Sequence, residues 1–213
     1  MNHTGKKIFV TGIDTGVGKT VVSAVLVRAL KAAYWKPVQC GLEEGTDTER
    51  IRELSGESAG QIFPERFLLR EAVSPHRAAE AEHCRIHLTD FSLPPAEGHL
   101  IVEGAGGVMA PLNETDVVVD IAARLGLSVV LVCRHYLGSL NHTLMSAECL
   151  RSRGLALNGL VFSGNEDDAY ERFLSEKTGL PLLFRVPDLG ASINERDIGM
   201  LAAGIRFPGV SEE

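Results

Sequence analysis

Gly12-Ile13-Asp14-Thr15-Gly16-Val17-Gly18-Lys19-Thr20 is the stretch on which the reading of this chain turns. It follows a short apolar run, Lys7-Ile8-Phe9-Val10, and precedes Val22, Val25, Leu26, Ala29, Leu30 and Ala33, which recur at helical spacing. Strand, glycine-rich loop and helix in that order are the context a phosphate-binding loop requires. Glycines let backbone N–H groups turn toward phosphate oxygens, and the helix N-terminus adds positive potential. Lys19 is placed to reach the β- and γ-phosphates, and the Thr20 hydroxyl to ligate Mg²⁺. Five residues rather than four separate Gly12 from Gly18, and Ile13 takes the place of the usual first glycine, so the loop is a variant. The competing account is a glycine-rich turn that merely caps a structural helix. Gly-Lys-Thr directly after a buried strand favours phosphate.

Outward from the loop, Tyr34 to Val38 reads as a second strand that stops at Gly41. Further compact apolar runs at Leu100-Ile101-Val102, Val129 to Val132, Leu157 to Phe162 and Leu182 to Val186 read as strands buried on both faces. Helical candidates lie near 117–126, 139–153 and 166–178. This alternation predicts an α/β chain, a mostly parallel sheet flanked by helices, in a single domain spanning 1–213. Ligands then belong beyond the carboxyl ends of the strands. The stretch from Gly56 to Pro95 is less periodic and is expected to cover one face with loops and short helices.

With 213 residues, 45% of them apolar, the chain can bury one substantial core. A net charge of −7 argues against a nucleic-acid or anionic-membrane footprint. No transmembrane run is visible. Cys40, Cys84, Cys133 and Cys149 show no paired CxxC spacing, and no secretory leader precedes them, which fits reduced thiols in a cytoplasm. His83, Cys84 and His87 lack a second half at zinc-ligand spacing and are assigned no chemistry.

Some polar residues stay open when read singly. Asp47, between Thr46 and Thr48, suits a helix start as well as a ligand. Glu103, directly after three apolar strand residues and before Gly104-Ala105-Gly106-Gly107, belongs at a sheet edge facing a ligand. Lys36 reads equally as an edge-strand lysine. His76, in Ser74-Pro75-His76, is favoured as a turn residue over a catalytic base. Asn141 and His142 read by default as the start of a helix.

Taken with Tyr34-Trp35-Lys36-Pro37-Val38-Gln39-Cys40-Gly41, Asp47, Ser74-Pro75-His76 and Val102-Glu103-Gly104-Ala105-Gly106-Gly107, the loop resembles that of the dethiobiotin synthetases, P-loop NTPase-like enzymes. The resemblance spans most of the chain. It implies a homodimer that converts 7,8-diaminopelargonate, CO₂ and ATP into dethiobiotin, ADP and phosphate in biotin biosynthesis. It further implies that Thr20, Asp47 and Glu103 organise Mg²⁺ and that Lys19 holds the phosphates. Lys36 then faces the substrate carbamate and the transferring phosphoryl group. Thr15 and Cys40 would line the diamine pocket, and Gly138-Ser139-Leu140-Asn141 would offer a helix N-terminus to the substrate carboxylate across the dimer. ATP contacts are implied for Gly16, Val17, Gly18, Val21, Gly104, Ala105 and Gly106. On the adenine side they are implied for Ser163-Gly164-Asn165 and Pro187-Asp188-Leu189. Gly16, Cys40 and Ser163 depart from the family pattern, which has an acid or amide, a serine or threonine, and an asparagine-containing turn at those places.

The chemistry explains the residue types. An alkylamine with a pKa near ~10 resists forming the neutral nucleophile near pH 7 by about three units, or roughly 4 kcal/mol, and a nearby cation lowers that pKa. After CO₂ capture the carbamate is an anion that must approach another anion, the triphosphate. Lys19, Lys36 and Mg²⁺ supply the countercharge, and no protein nucleophile is required. The rival readings are a deviant phosphate-loop switch or partitioning ATPase, and a small-molecule kinase. The first would carry an extra lysine at position 14, which is Asp14; the second normally needs an arginine-rich lid, for which no segment is evident.

Overall fold

A computed structural model describes residues 5–56, 59–188, 190 and 193–210. Strand β1 (Lys7–Gly12) runs through the phosphate loop into helix α1 (Lys19–Leu30). There follow β2 (Ala33–Trp35), β3 (Val38–Cys40), α2 (Asp47–Ser55), β4 (Ile62–Phe63), β5 (Phe67–Leu69) and α3 (Pro75–Ala81). A short 3-10 turn at Leu88–Asp90 leads to β6 (Leu100–Gly107), α4 (Val118–Leu125), β7 (Ser128–Arg134) and α5 (Ser139–Ser152). The chain then forms β8 (Leu157–Ser163), α6 (Asp168–Thr178), β9 (Leu182–Val186) and α7 (Glu195–Ala203).

The main sheet has seven strands in the order β4-β2-β6-β1-β7-β8-β9, and each neighbouring pair is parallel. Covering helices leave its central strands dry: Ile8, Phe9, Val10, Leu100, Ile101, Val102 and Val129 to Val132 are all fully buried. That is why they read as unbroken apolar runs rather than alternating ones. β1 is central, with β6 on one side and β7 on the other, so the phosphate loop leaves the middle of the carboxyl edge. Crevices form there in open α/β sheets.

Two expectations are corrected. The run from Tyr34 to Val38 is not one strand: β2 pairs with β6 in the main sheet, whereas β3 leaves it and pairs with β5. The break falls at Lys36-Pro37, where proline has no N–H to give a ladder. Trp35 pairs with Val102, so the next residues, Lys36 and Glu103, lie side by side. In turn β6 runs on to Gly107 instead of ending at Val102, which carries Glu103 into the sheet.

Helices α4, α5 and α6 fall where the helical spacing placed them. Helix α2 starts at the residue flagged as a helix start: Thr46 and Glu49 form a reciprocal capping box, with hydrogen bonds of 3.1 and 2.7 Å. Helix α7 was not anticipated, although Asn194 and Asp197 carry the same kind of signal. The aperiodic stretch between Gly56 and Pro95 holds α3, the 3-10 turn and the short strands β4 and β5.

Candidate active site

Three backbone features bring ionic side chains together: the phosphate loop, the break after β2, and Glu103 within β6. Thr20 Oγ1 lies 2.7 Å from Asp47 Oδ1 and 3.0 Å from Glu103 Oε1. Lys36 Nζ sits 2.6 Å from Asp47 Oδ2, 3.1 Å from Glu103 Oε1 and 3.5 Å from the Gly104 carbonyl oxygen. The remaining carboxylate oxygen of Glu103 accepts from Tyr34 Oη at 3.0 Å. Gln39 pins the start of α2, its Oε1 accepting from the Asp47 N–H at 3.2 Å while its Nε2 donates to the carbonyls of Cys40 and Gly41. Asp47 therefore starts a helix and also joins the cluster; the two readings of it are compatible.

The two lysines of this knot are in opposite electrostatic states. Burial pushes the Lys19 ammonium down to about 8, helped by the charge of Lys36 and opposed by Glu103 and Asp47. Burial acts on Lys36 in the same sense, but Glu103 and Asp47 in direct contact outweigh it and hold its pKa above the usual lysine range. The same pairing overcomes burial at Asp47, whose carboxyl lies below its ordinary value through Lys36 and the Thr20 hydroxyl. Lys36 thus has carboxylate partners, whereas Lys19 Nζ donates to a carbonyl, that of Asp14, at 3.0 Å. A buried ammonium of that kind gains from an incoming anion.

The loop is shaped to admit one. Gly18 caps α1 with φ 95°, and a Cβ there would come within 2.5 Å of Ser163 Oγ, so both conformation and space require glycine. A cleft of about 1110 Å³ opens along the loop. Lys19, Thr20, Lys36, Asp47 and Glu103 supply ionic and polar lining; Val73, Pro75, Val108, Met109, Met145 and Cys149 supply apolar lining.

Of the residues singled out from sequence, Thr15, Gly16, Gly18, Val21, Cys40, Ala105 and Gly106 also line this cleft. Val17 turns its side chain into the core, leaving its backbone for the loop. Ser163 is the last residue of β8, and Gly164, Asn165, Pro187 and Asp188 lie past the ends of β8 and β9, on the opposite side of the phosphate loop from Lys36. Leu189 lies outside the described residues. Gly138, Ser139, Leu140 and Asn141 begin α5 but do not line the cleft. Ser139 is buried, its Oγ engaged by the Tyr136 N–H and Tyr170 Oη. Four later residues of the same helix, His142, Met145, Ser146 and Cys149, line it instead. His76 is on α3, with its N–H on the Pro111 carbonyl, and does not line the cleft.

Tyr34 and Gln39 escaped the sequence reading. Tyr34 stands two residues before Lys36, the spacing that puts side chains on one face of an extended chain, and that was the signal to use. The donor set fits a hard divalent cation: two carboxylates and a hydroxyl converge, all oxygen. Among the described residues no group of three His, Cys, Asp or Glu side chains is placed to hold a metal.

A parallel α/β sheet with a phosphate loop at its centre and acids beside it defines a P-loop nucleotide-binding protein. A family model described as an AAA domain matches residues 6–196. An ATP-dependent dethiobiotin synthetase of Cytophaga hutchinsonii is 48% identical over 182 residues, 85% of this chain and 88% of that one. Another, from Nitrobacter hamburgensis, is 45% identical and covers 85% of each chain. The chain belongs to the AAA domain family and to the family of ATP-dependent dethiobiotin synthetases. Among solved structures, the septum site-determining protein MinD of Pyrococcus horikoshii aligns with 93% of this chain and 95% of its own, with a TM-score of 0.57 and 13% identity, a likeness of fold alone.

Proposed function

We propose that this protein makes dethiobiotin from 7,8-diaminopelargonate, CO₂ and ATP, releasing ADP and phosphate. The observation that carries the proposal is the meeting of Thr20, Lys36, Asp47 and Glu103 beside the under-neutralised ammonium of Lys19. That arrangement suits two anions that must be drawn together.

Lys19 and the backbone N–H groups of Gly16 to Thr20 hold the triphosphate. Thr20, Asp47 and Glu103 would hold Mg²⁺, which when bound neutralises charge on the β- and γ-phosphate oxygens. Lys36, held against Asp47 and Glu103, would face the carbamate and supply positive charge to it. The carbamate oxygen attacks the γ-phosphorus in line and ADP leaves, giving a carbamic-phosphoric anhydride. The neighbouring amine attacks the carbonyl carbon and expels phosphate, closing the ring. Thr15 and Cys40 flank the diamine, and the apolar lining of the cleft suits its hydrocarbon chain.

The same reading makes the enzyme a homodimer in which Gly138 to Asn141 of one copy meet the substrate carboxylate in the other. It is supported by exposed apolar side chains on this segment: Leu137 is fully exposed with Tyr136 exposed next to it, and Met145 is exposed further along α5. The setting proposed is cytoplasmic; no helix among the described residues is long and apolar enough to cross a membrane.

Incubation with the diamine, labelled bicarbonate and Mg·ATP tests the whole. Diamine-dependent ADP release with matching incorporation of label into dethiobiotin is expected. A stable phosphorylated diamine, or ATP hydrolysis indifferent to both substrates, would point to a kinase or a switch ATPase instead.

A further inference from the structure

On the side of the phosphate loop away from Lys36, one arginine lies against the loop, the turn after β8 and the segment after β9. Arg134 ends β7, level with Ser163 at the end of β8. The loop itself is tied to this strand by the Ile13 N–H, which donates to the Val132 carbonyl at 3.0 Å. Arg134 Nη1 donates to the Gly16 carbonyl at 3.2 Å, and Nη2 lies 3.8 Å from Asp188 Oδ2, past the end of β9. Between them the side chain crosses Gly164, whose φ is 109°; a Cβ added there would sit 3.7 Å from Arg134 Cγ and Nε. Phosphate loop, β8 turn and β9 loop are thus spanned by a single planar cation whose side chain is 43% exposed.

The groups around it decide what it can do. Ser163 is buried, and its hydroxyl fills the space over Gly18, where an added Cβ would meet it at 2.5 Å. That hydroxyl is turned to the loop and is not presented to a base. Asn165 is exposed on the turn beyond it. The guanidinium therefore offers a flat cationic surface beside the phosphate loop, steadied by the Gly16 carbonyl and only loosely tied to Asp188. Guanidinium groups stack on aromatic faces, and every base has such a face.

We infer that Arg134 is a nucleotide-binding residue that lies over the base, and that this contact replaces edge recognition from the β8 turn, so that the protein discriminates weakly among bases. The inference rests on the assignment of the phosphate loop to nucleotide binding, and the test separates the two. ADP and inorganic tripolyphosphate are titrated calorimetrically into the wild type, Arg134→Ala and Arg134→Lys. Loss of the stacked guanidinium is expected to weaken ADP by about tenfold while tripolyphosphate, which has no base, changes by less than about twofold. Lysine keeps the charge without the plane and remains weak for ADP. Equal losses with both probes, or no loss with ADP, would overturn the inference. GDP and CDP should bind the wild type within about tenfold of ADP; a preference above about a hundredfold for one base would also overturn it, since stacking alone does not discriminate so strongly. A wild type that binds neither probe would reject the phosphate-loop assignment itself.

Discussion

The two ends of the cleft are built on opposite principles. At the reaction end, Lys36 and Glu103 are almost fully buried, Asp47 is drawn against them, and each has hydrogen-bonded partners supplied by β2, β6 and the start of α2. At the other, Met109 and Met145 stand 54% and 61% exposed, on a loop and a helix face, with the fully exposed Leu137 just before that helix. Charge must be in place before the reactants arrive, because reorganising dipoles during transfer costs activation energy. A hydrocarbon chain makes no such demand and is served by any apolar wall, including one completed by a second copy.

The sharpest way to break this contrast is at Lys36. Lys36→Met keeps the length and removes the charge, and dethiobiotin formation should fall by about 10³-fold or more, as for loss of a preorganised charge at the transition state. Removal of one partner of a buried ion pair generally costs on the order of 3–5 kcal/mol, so the variant should also melt earlier. Added Mg²⁺ should recover part of that stability by standing in for the missing cation between Asp47 and Glu103. Near-normal turnover, or a melting temperature unmoved by the substitution and by Mg²⁺, would mean that the knot is not organised for this chemistry.

An effect of the second rank is expected at the open end. Leu137→Asp puts a charge on the most exposed apolar side chain of the α5 entrance. If a second copy covers this face, sedimentation should show a dimer in the wild type and a monomer in the variant. Turnover should drop by roughly tenfold or more through the diamine KM, while ADP affinity stays as it was, because a large interface loses a few kcal/mol when a core position is made charged. A wild type that sediments as a monomer would remove the partner from the picture and leave the apolar end solvent-lined.

The same contrast governs how far the site was legible in the sequence. Gly12 to Thr20 is contiguous, so the loop, its lysine and its hydroxyl were readable from local spacing together with the strand before and the helix after. Glu103 announced itself as a carboxylate ending an apolar run. Lys36 was ambiguous until register was known: Trp35 opposite Val102 is what sets it beside Glu103, and pairing between distant strands leaves no local mark. Asp47 carried a clear local message, a helix start, which is correct and conceals its second role; only the docking of α2 brings its carboxylate to Thr20. Tyr34 looked like one more apolar strand residue, since nothing in its neighbours reveals that its hydroxyl meets Glu103. The apolar end was the least legible. Met109, Met145 and Cys149 are separated in the chain and chemically unremarkable, and they become a wall only when β6 and α5 converge.

The smallest expected effect lies at Cys40, which lines the cleft where the family pattern has a hydroxyl. Burial pushes its thiol up to about 11, outweighing the opposite pull of Lys36, so at neutral pH it is protonated and offers only a weak donor and acceptor. Cys40→Ser changes little in volume and supplies a full hydrogen-bonding group. A single neutral hydrogen bond contributes about 0.5–1.5 kcal/mol, so the diamine KM should fall by roughly two- to tenfold with kcat nearly unchanged. A KM effect confined to the diamine would place Cys40 between the preset ionic end and the open apolar one, contributing to substrate binding without taking part in phosphoryl transfer. An equal fall in kcat would instead show that the small thiol is needed to pack the turn between β3 and α2, and that the rigid end of the cleft extends further than its ionic residues.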